Sequence, residues 1–143
     1  MANKPSHRHR TRRYVLQAHY QWLIAKAPLS DIEAQFRAEH DFAKIDEDHF
    51  QALFYGIPQT IDQLDGLLTP LMHKAVDELD PIELCVLRMA TYELQHCLDV
   101  PYKVVIDEAL NLNKQFGTVE GFKFVNAVLD QVSRQLRPLE RPA

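Results

Sequence analysis

The sequence predicts an all-α protein, a helical bundle of about six to seven helices in two small subdomains. Three observations carry that expectation. Apolar residues recur at helical spacing through most of the 143 residues. Several prolines fall at the edges of those segments, where a helix tolerates or requires them. Only four glycines occur, and no segment shows the alternation of a half-buried strand. This length suits about one domain with a real core. A content of 46% hydrophobic and 25% charged residues is that of a globular protein and excludes a wholly disordered one. No apolar run approaches the roughly 20 residues of a membrane span. The first 13 residues lack the apolar stretch of a secretory signal. Two cysteines without an export signal point to a reducing, cytoplasmic compartment.

The first helix is expected from Arg10 to Ala27. Val15, Ala18, Trp22 and Ala25 form one apolar stripe; Leu16, Tyr20, Leu23 and Ala27 form the next, and Pro28 ends the run. Ser30-Asp31-Ile32-Glu33 has the form of a capping box, with Ser30 as N-cap and Glu33 reaching back. Ile32 and Phe36 then give a short helix one face. Residues 38–48 are polar, and Asp46, Glu47 and Asp48 suit the first turn of the next helix, beside its positive dipole end. Phe50, Leu53, Phe54, Ile57, Ile61 and Leu64 continue the helical period across Pro58. This proline has no N–H for the Phe54 carbonyl, so a kink or break is expected there. Leu67, Leu68, Leu71 and Met72 suggest a short continuation.

Asp80-Pro81-Ile82-Glu83 is the clearest helix start: Asp80 as N-cap, Pro81 at the first helical position, and Glu83 completing a capping box. The helix that follows, to about Cys97, is apolar on most sides, with Arg88 and Glu93 as its charged exceptions, and belongs in the middle of a bundle. Beyond Asp99-Val100-Pro101, Val105, Ala109, Leu112 and Phe116 mark one face of a further helix, with Gly117 just past its end. The last helix runs from near Val119 through Phe122, Val125, Leu129, Val132 and Leu136 until Pro138 stops it. The expected organisation is a basic arm over residues 1–13 and a helical domain over 10–143. Its halves span about 10–75 and 76–138.

No catalytic residue, metal site or cofactor site emerges from these segments. Asp107 and Glu108 are neighbours and point apart on a helix. Cys85 and Cys97 lie about 18 Å apart on one helix, too far for a disulfide or a shared metal. The seven histidines show no metal-binding spacing, and no phosphate-loop, dinucleotide or nucleophile-elbow motif occurs.

Charge is more informative. Residues 1–13 carry Lys4, Arg8, Arg10, Arg12 and Arg13 and no acid, a charge of +5. Eleven basic and twenty acidic residues remain for the rest, a charge of −9. Arginine forks bond two phosphate oxygens at once, and aromatic rings beside them stack on bases. Arg8, Arg10, Arg12 and Arg13, with Tyr14 and Tyr20 within reach, therefore read as a single-stranded RNA site. The alternative is a solvated terminus. Trp22 is expected in the core. Asp77, Glu78, Asp80 and Glu83 form an acidic cluster, of which Asp77 and Glu78 are left over from capping and suit either a basic protein partner or a solvated loop.

Three stretches resemble the NusB family of bacterial transcription antitermination factors. Arg10-Thr11-Arg12-Arg13 leads into Gln17-Ala18-His19-Tyr20-Gln21-Trp22. Asp77-Glu78-Leu79-Asp80-Pro81-Ile82-Glu83 continues through Val86-Leu87-Arg88-Met89-Ala90 and Tyr92-Glu93-Leu94. Val100-Pro101-Tyr102-Lys103-Val104-Val105-Ile106-Asp107-Glu108-Ala109 is followed by Lys114-Gln115-Phe116-Gly117 and by Lys123-Phe124-Val125-Asn126-Ala127-Val128-Leu129-Asp130. The resemblance implies a non-enzymatic factor that binds the boxA element of ribosomal RNA leader transcripts. It implies a partner, the small-subunit ribosomal protein NusE, and work within the elongation complex of RNA polymerase. By position, Arg8, Arg10, Arg12 and Tyr20 match the RNA-facing N-terminal surface, and Glu120 and Phe124 a second RNA-side patch. Asp77 and Glu83 match acidic positions on the NusE-facing side. Arg13 stands where the family commonly has an acid, Phe122 where it often has a polar residue, and Pro58 follows the family's glycine. Two other readings are a self-associating helical module, since some members form homodimers, and the RNA-binding domain of a ribosomal RNA methyltransferase, which needs a catalytic domain beyond Ala143.

Overall fold

The computed structural model describes residues 5–141, with side chains from residue 7. Lys4, counted in the basic arm, lies outside them. Among the described residues all regular structure is helical, with seven α-helices. The chain forms two compact units that divide between Gln59 and Thr60, not near residue 75 as expected. The division falls where Pro58 ends one helix and Thr60 precedes the next.

The first unit holds α1 (Pro5–Ala25), α2 (Leu29–Glu39), a 3-10 turn (Phe42–Lys44) and α3 (Glu47–Gln59). Helix α1 begins five residues before its expected start, so residues 5–13 are its first turns, not an arm. It packs on α2 and α3. Val15, Leu16 and Ala18 meet Ile32, Phe36, Phe50, Leu53, Phe54 and Ile57 in the core. Tyr14, expected near the RNA, is buried; its ring packs against Phe36, His40 and Phe42, and its hydroxyl donates to the Asp41 carbonyl at 3.2 Å. Trp22 is half-buried.

The expected capping box at Ser30 is absent. Helix α2 starts at Leu29, and the carbonyl of Pro28 accepts from the amides of Asp31 and Ile32. Glu33 is drawn away to Arg37, Gln51 and Tyr55. Burial opposes ionising Glu33, yet its hydrogen bonds from Tyr55, Arg37 and Gln51 hold the carboxyl below its ordinary range. Asp46 is the residue that caps α3, accepting the His49 amide at 3.1 Å.

Pro58 lies inside the last turn of α3. Having no N–H, it leaves the Phe54 carbonyl without its intrahelical donor. The buried His19 of α1 lies 3.0 Å from that oxygen through Nε2, and its ring stacks on Phe54 with centroids 5.5 Å apart. A carbonyl only accepts, so Nε2 carries the proton.

The second unit holds α4 (Ile61–Leu68), two 3-10 turns (Thr69–Leu71 and Val76–Glu78), α5 (Pro81–His96), α6 (Tyr102–Phe116) and α7 (Val119–Leu136). Helix α5 is central and packs on α4, α6 and α7. Every residue from Leu84 to Thr91 is buried, Leu87 completely. Asp80 caps its first turn, accepting the Glu83 amide at 3.2 Å. Arg88, its charged exception, makes a two-pronged pair with Asp65 of α4 at 2.9 and 2.8 Å. Phe116, expected on the inner face of α6, is exposed at that helix's end. Gly117 stands just past the end of α6, as expected; its φ is −110, and the Cβ it lacks would lie 2.5 Å from Asn113 Oδ1.

His19→Phe should lower stability by about 1–3 kcal/mol, the cost of a buried carbonyl left without a partner. Pro58→Ala restores an N–H to that carbonyl, so it should recover part of this loss in the His19→Phe background and not in the parent. Urea unfolding of the four proteins measures the coupling, and additive effects would show that His19 does not serve the Phe54 carbonyl.

Candidate nucleic-acid interface

The helical phase of α1 sorts the arginines. Arg8 and Arg12, four apart, share the inward side with Val15, Leu16 and His19. Arg12 is only 3% exposed, which corrects its expected place on the RNA-facing surface: it lies three and four residues before the buried Val15 and Leu16 and shares their face of the helix. Arg8 Nε donates to Asp46 Oδ2 at 3.2 Å. Burial opposes ionising Asp46, but the His49 amide and the Arg8 guanidinium hold its carboxyl below the ordinary value. Arg8 is thus committed, in part, to holding α1 against the α3 cap.

Arg10, Arg13, Gln17 and Tyr20 recur at i, i+3, i+7 and i+10 and form one outward stripe about 15 Å long. Arg10 and Arg13 are half-exposed, Gln17 is exposed, and Tyr20 is 39% exposed. Ile24 lengthens the stripe at its far end and is also exposed. Arg10 Nη1 donates to the Lys44 carbonyl at 2.8 Å, which steadies its stem at the surface. The stripe therefore offers two guanidinium groups, an amide and a phenol ring in a line. Gln17 and Ile24 were not among the expected site residues, although the same spacing was present in the sequence.

The remaining expected residues belong to the second unit. Glu120 and Phe124 of α7 and Glu83 of α5 line one cleft of about 250 Å³, together with His73, Lys74 and Gly121. Two residues assigned to RNA and one assigned to a protein partner thus share a site. His73 and Lys74 carried no motif in the sequence. Glu83 does not complete the capping box; its carboxylate crosses to Gly121 of α7. Gly121 makes the approach possible, because a Cβ there would come within 2.3 Å of Glu83 Oε2. Burial, with the negative charge of Asp80 next, raises the Glu83 carboxyl above its ordinary value; Lys74 and Thr118 oppose this and Glu120 adds to it. Asp77 and Glu78 are exposed on the 3-10 turn before α5. Glu78 is not left over, since its Oε1 accepts the Ala75 amide at 2.9 Å.

Of the other groups weighed for chemistry, the Cys85 thiol is buried and pushed up to about 12 by desolvation, which makes it inert. Among the described residues no three His, Cys, Asp or Glu side chains converge as a metal site, and no helix is long and apolar enough to cross a membrane.

Fold and site define a class of small all-α proteins in two helical units, with charged and aromatic side chains on helix faces and in clefts. The NusB family model matches residues 9–134, and the chain belongs to that family. It is 48% identical to the transcription antitermination protein NusB of Alcanivorax borkumensis, over 95% of this chain and 91% of that one. It is 44% identical to the protein of the same name from Hahella chejuensis, over 98% and 94%. The solved structure of T. maritima NusB superposes with a TM-score of 0.82 at 31% identity, covering 98% of this chain and 97% of that one.

Because the fold holds Glu83 above its ordinary carboxyl value, the folded state binds its proton more tightly than the unfolded chain. Ionised Glu83 therefore costs stability as pH rises through and above the carboxylate range, and nothing below it. Glu83→Gln should melt higher than the parent at about pH 7, and the difference should vanish at about pH 4. An equal difference at both pH values would mean that the ionisation of Glu83 is unopposed.

Proposed function

We propose that this protein is an RNA-binding transcription antitermination factor that takes up the boxA element of ribosomal RNA leader transcripts together with NusE, in the cytoplasm, within the elongation complex of RNA polymerase. The observation that carries the RNA part is the stripe on α1. Arg10 and Arg13 can each fork onto phosphate oxygens, Tyr20 can stack on a base, and Gln17 between them can both donate and accept. A length of about 15 Å suits a few nucleotides of single strand. The charge of −9 on the chain beyond residue 13 supports the same choice, since it opposes RNA elsewhere and favours docking on this helix. Family membership and the names of the relatives support the role in antitermination.

In this reading Arg8 and Arg12 hold the helix in place, while Arg10 and Arg13 contact phosphate. In the second unit, Phe124 is assigned to RNA by the resemblance, as a contact separate from the stripe. The NusE part rests on the acidic entrance to α5, where Asp77 is exposed and Glu83 is kept as a carboxylate against burial. A basic partner would relieve that opposition by pairing with it.

Titration with a boxA-like single strand at several salt concentrations tests the RNA reading. Each neutralised phosphate contributes about −0.7 to the slope of log affinity against log salt. Replacing Arg10 and Arg13 by alanine should therefore flatten the slope by roughly 1.4. Tyr20→Ala should cost about 1–3 kcal/mol with the slope almost unchanged. If the double arginine variant keeps the parent's affinity and slope, the stripe is not the RNA site.

The partner reading is tested with the exposed acids, because an arginine at Glu83 would collide with Gly121 and confuse folding with binding. Asp77→Lys combined with Glu78→Lys should weaken NusE binding roughly tenfold or more at low salt, less at high salt. RNA binding in the absence of NusE should not weaken. Calorimetry against NusE showing the parent's affinity at low salt would remove these acids from the interface.

A further inference from the structure

The corner between α6 and α7 holds a cleft that none of the assignments above uses. It measures about 280 Å³ and lies wholly within the second unit. Gly117, Val119 and Phe122 give it apolar walls, and Lys114 and Lys123 stand at its edge. Val119 is 75% exposed and leaves an aliphatic surface beside the cleft. Lys114 Nζ sits over the Phe122 ring, 5.6 Å from its centroid. That face is therefore taken by a cation, and the cleft offers aliphatic contact in place of an open ring.

The polar side of the cleft has one unmet demand. Asn113 is completely buried and lines the cleft from the last turn of α6. Its Nδ2 donates to the Thr118 carbonyl at 3.1 Å. A carbonyl only accepts, so the nitrogen is fixed there and the oxygen is the atom beside Gly117. That Oδ1 has no hydrogen-bond partner, and an unpaired buried acceptor calls for an N–H or O–H donor. The oxygen is enclosed, so a donor reaches it by a small opening of the corner, on the side where Gly117 carries no Cβ.

Ground for an anion lies next to this acceptor. Thr118, whose carbonyl holds Asn113, is the N-cap of α7, and its hydroxyl takes the Gly121 amide at 2.9 Å. The amides of Val119 and Glu120 belong to the first turn, which the helix does not bond internally. The eighteen residues of α7 put the positive end of a long helix dipole here, and Lys114 and Lys123 add two ammonium groups. Glu120 opposes them from the same turn, but it lines the other cleft.

An acceptor that needs a donor, cationic ground beside it and an aliphatic wall together match the last residue of a peptide, whose N–H, carboxylate and side chain all leave one α-carbon region. We propose that this corner captures the free C-terminus of a protein partner that ends in an aliphatic residue. The last N–H donates to Asn113 Oδ1, the carboxylate lies between Lys114, Lys123 and the first amides of α7, and the side chain packs on Val119 and Phe122. Capture of a terminal carboxylate by backbone amides is a general mode of peptide recognition. The volume is just below that of sites for drug-sized ligands, which suits one terminal residue. An acidic side chain within a longer segment would satisfy the lysines but does not carry its own N–H at that spacing. A stacked base would need the ring face that Lys114 covers. The site stands apart from the α1 stripe and does not rest on the RNA reading.

The full isotope-labelled chain is titrated with acetyl-alanyl-alanyl-leucine bearing a free carboxylate, and its amide resonances are followed. The amides of Gly117, Val119 and Phe122 should shift, with a dissociation constant on the order of 1 mM. The same peptide with an amidated C-terminus should bind roughly tenfold more weakly or worse. So should the depsipeptide in which an ester oxygen replaces the last N–H, because it brings no donor to Asn113. Glycine in place of the terminal leucine should weaken binding, and Val119→Ser should shrink that difference. Lys114→Gln with Lys123→Gln should remove most of the preference for the free carboxylate over the amide; both lysines are exposed, so folding is not at stake.

The proposal is overturned if the leucine peptide does not bind at about 10 mM, or if the shifts it causes lie away from this corner. It is also overturned if the amidated peptide binds as well as the free one, or if the depsipeptide matches its amide-linked parent. An amidated peptide with internal aspartates, or a short oligoribonucleotide, that shifts the corner amides where the leucine peptide does not would give the cleft to an acidic segment or to RNA, and overturns it likewise.

Discussion

A helix that is apolar on nearly every side still needs partners for its terminal amides and carbonyls, and at a buried end those partners come from the protein. Helix α5 is such a helix, and the second unit is arranged around that need. Asp80 supplies an acceptor at its first turn. At its other end Arg137 donates to the carbonyls of Leu94 at 2.7 Å, Cys97 at 3.1 Å and Glu93 at 3.3 Å. Arg137 also pairs closely with Glu140, which in turn accepts the Tyr102 amide at 3.1 Å. One buried guanidinium thus joins the end of α5, the start of α6 and the segment after α7. The acidic entrance at residues 77–83 follows from the same demand: capping α5 requires an acid at position 80, and Glu83, one turn in, is placed to reach α7.

The first unit meets a similar demand on a smaller scale. Pro58 frees one carbonyl, and His19 answers it from another helix. That bond agrees with the rotation that burial of Val15, Leu16 and Ala18 imposes on α1, which turns His19 and Arg12 inward with them. Once that side is inward, Arg10, Arg13, Gln17 and Tyr20 have only the opposite side. The Arg8 contact with the α3 cap makes the same choice a second time, from the helix's first turns.

Much of this was legible in the residues. Apolar spacing placed the helices, Asp80-Pro81 placed the start of α5, and Pro58 marked the break that separates the two units. What was not legible depended on phase or on distant partners. Counting +5 over thirteen residues treats Arg12 and Arg13 alike, but Arg12 shares a helix face with the buried Val15 and Leu16, while Arg13 faces outward with Gln17 and Tyr20. The capping signature at Ser30 failed because Glu33 has stronger partners in α3, which no local pattern contains. Gly117 ends α6 where the sequence placed it, but the space it leaves for Asn113 depends on the folded chain and no local pattern contains it. Glu83 satisfied a capping pattern, yet its side chain serves another helix across a glycine thirty-eight residues away.

The first turn of α7 has a cleft on either side of it, and the two differ in charge. One gathers Glu83 and Glu120 around Lys74 and His73; the other sets Lys114 and Lys123 beside Phe122. Alternation along the helix produces this separation, since Glu120, Gly121 and Phe124 line one side and Val119, Phe122 and Lys123 the other. A chain that is acidic beyond residue 13 repels anions on average, so an anionic ligand needs local cationic ground, and the acidic ground is better matched to a basic protein. Burial and the charge of Asp80 both oppose ionising Glu83 in the first of these clefts. Protonating it would relieve both desolvation and the repulsion of Asp80, and replacing it by an apolar group would remove the penalty altogether. In the proposed reading a basic partner would pair with this carboxylate and offset its desolvation.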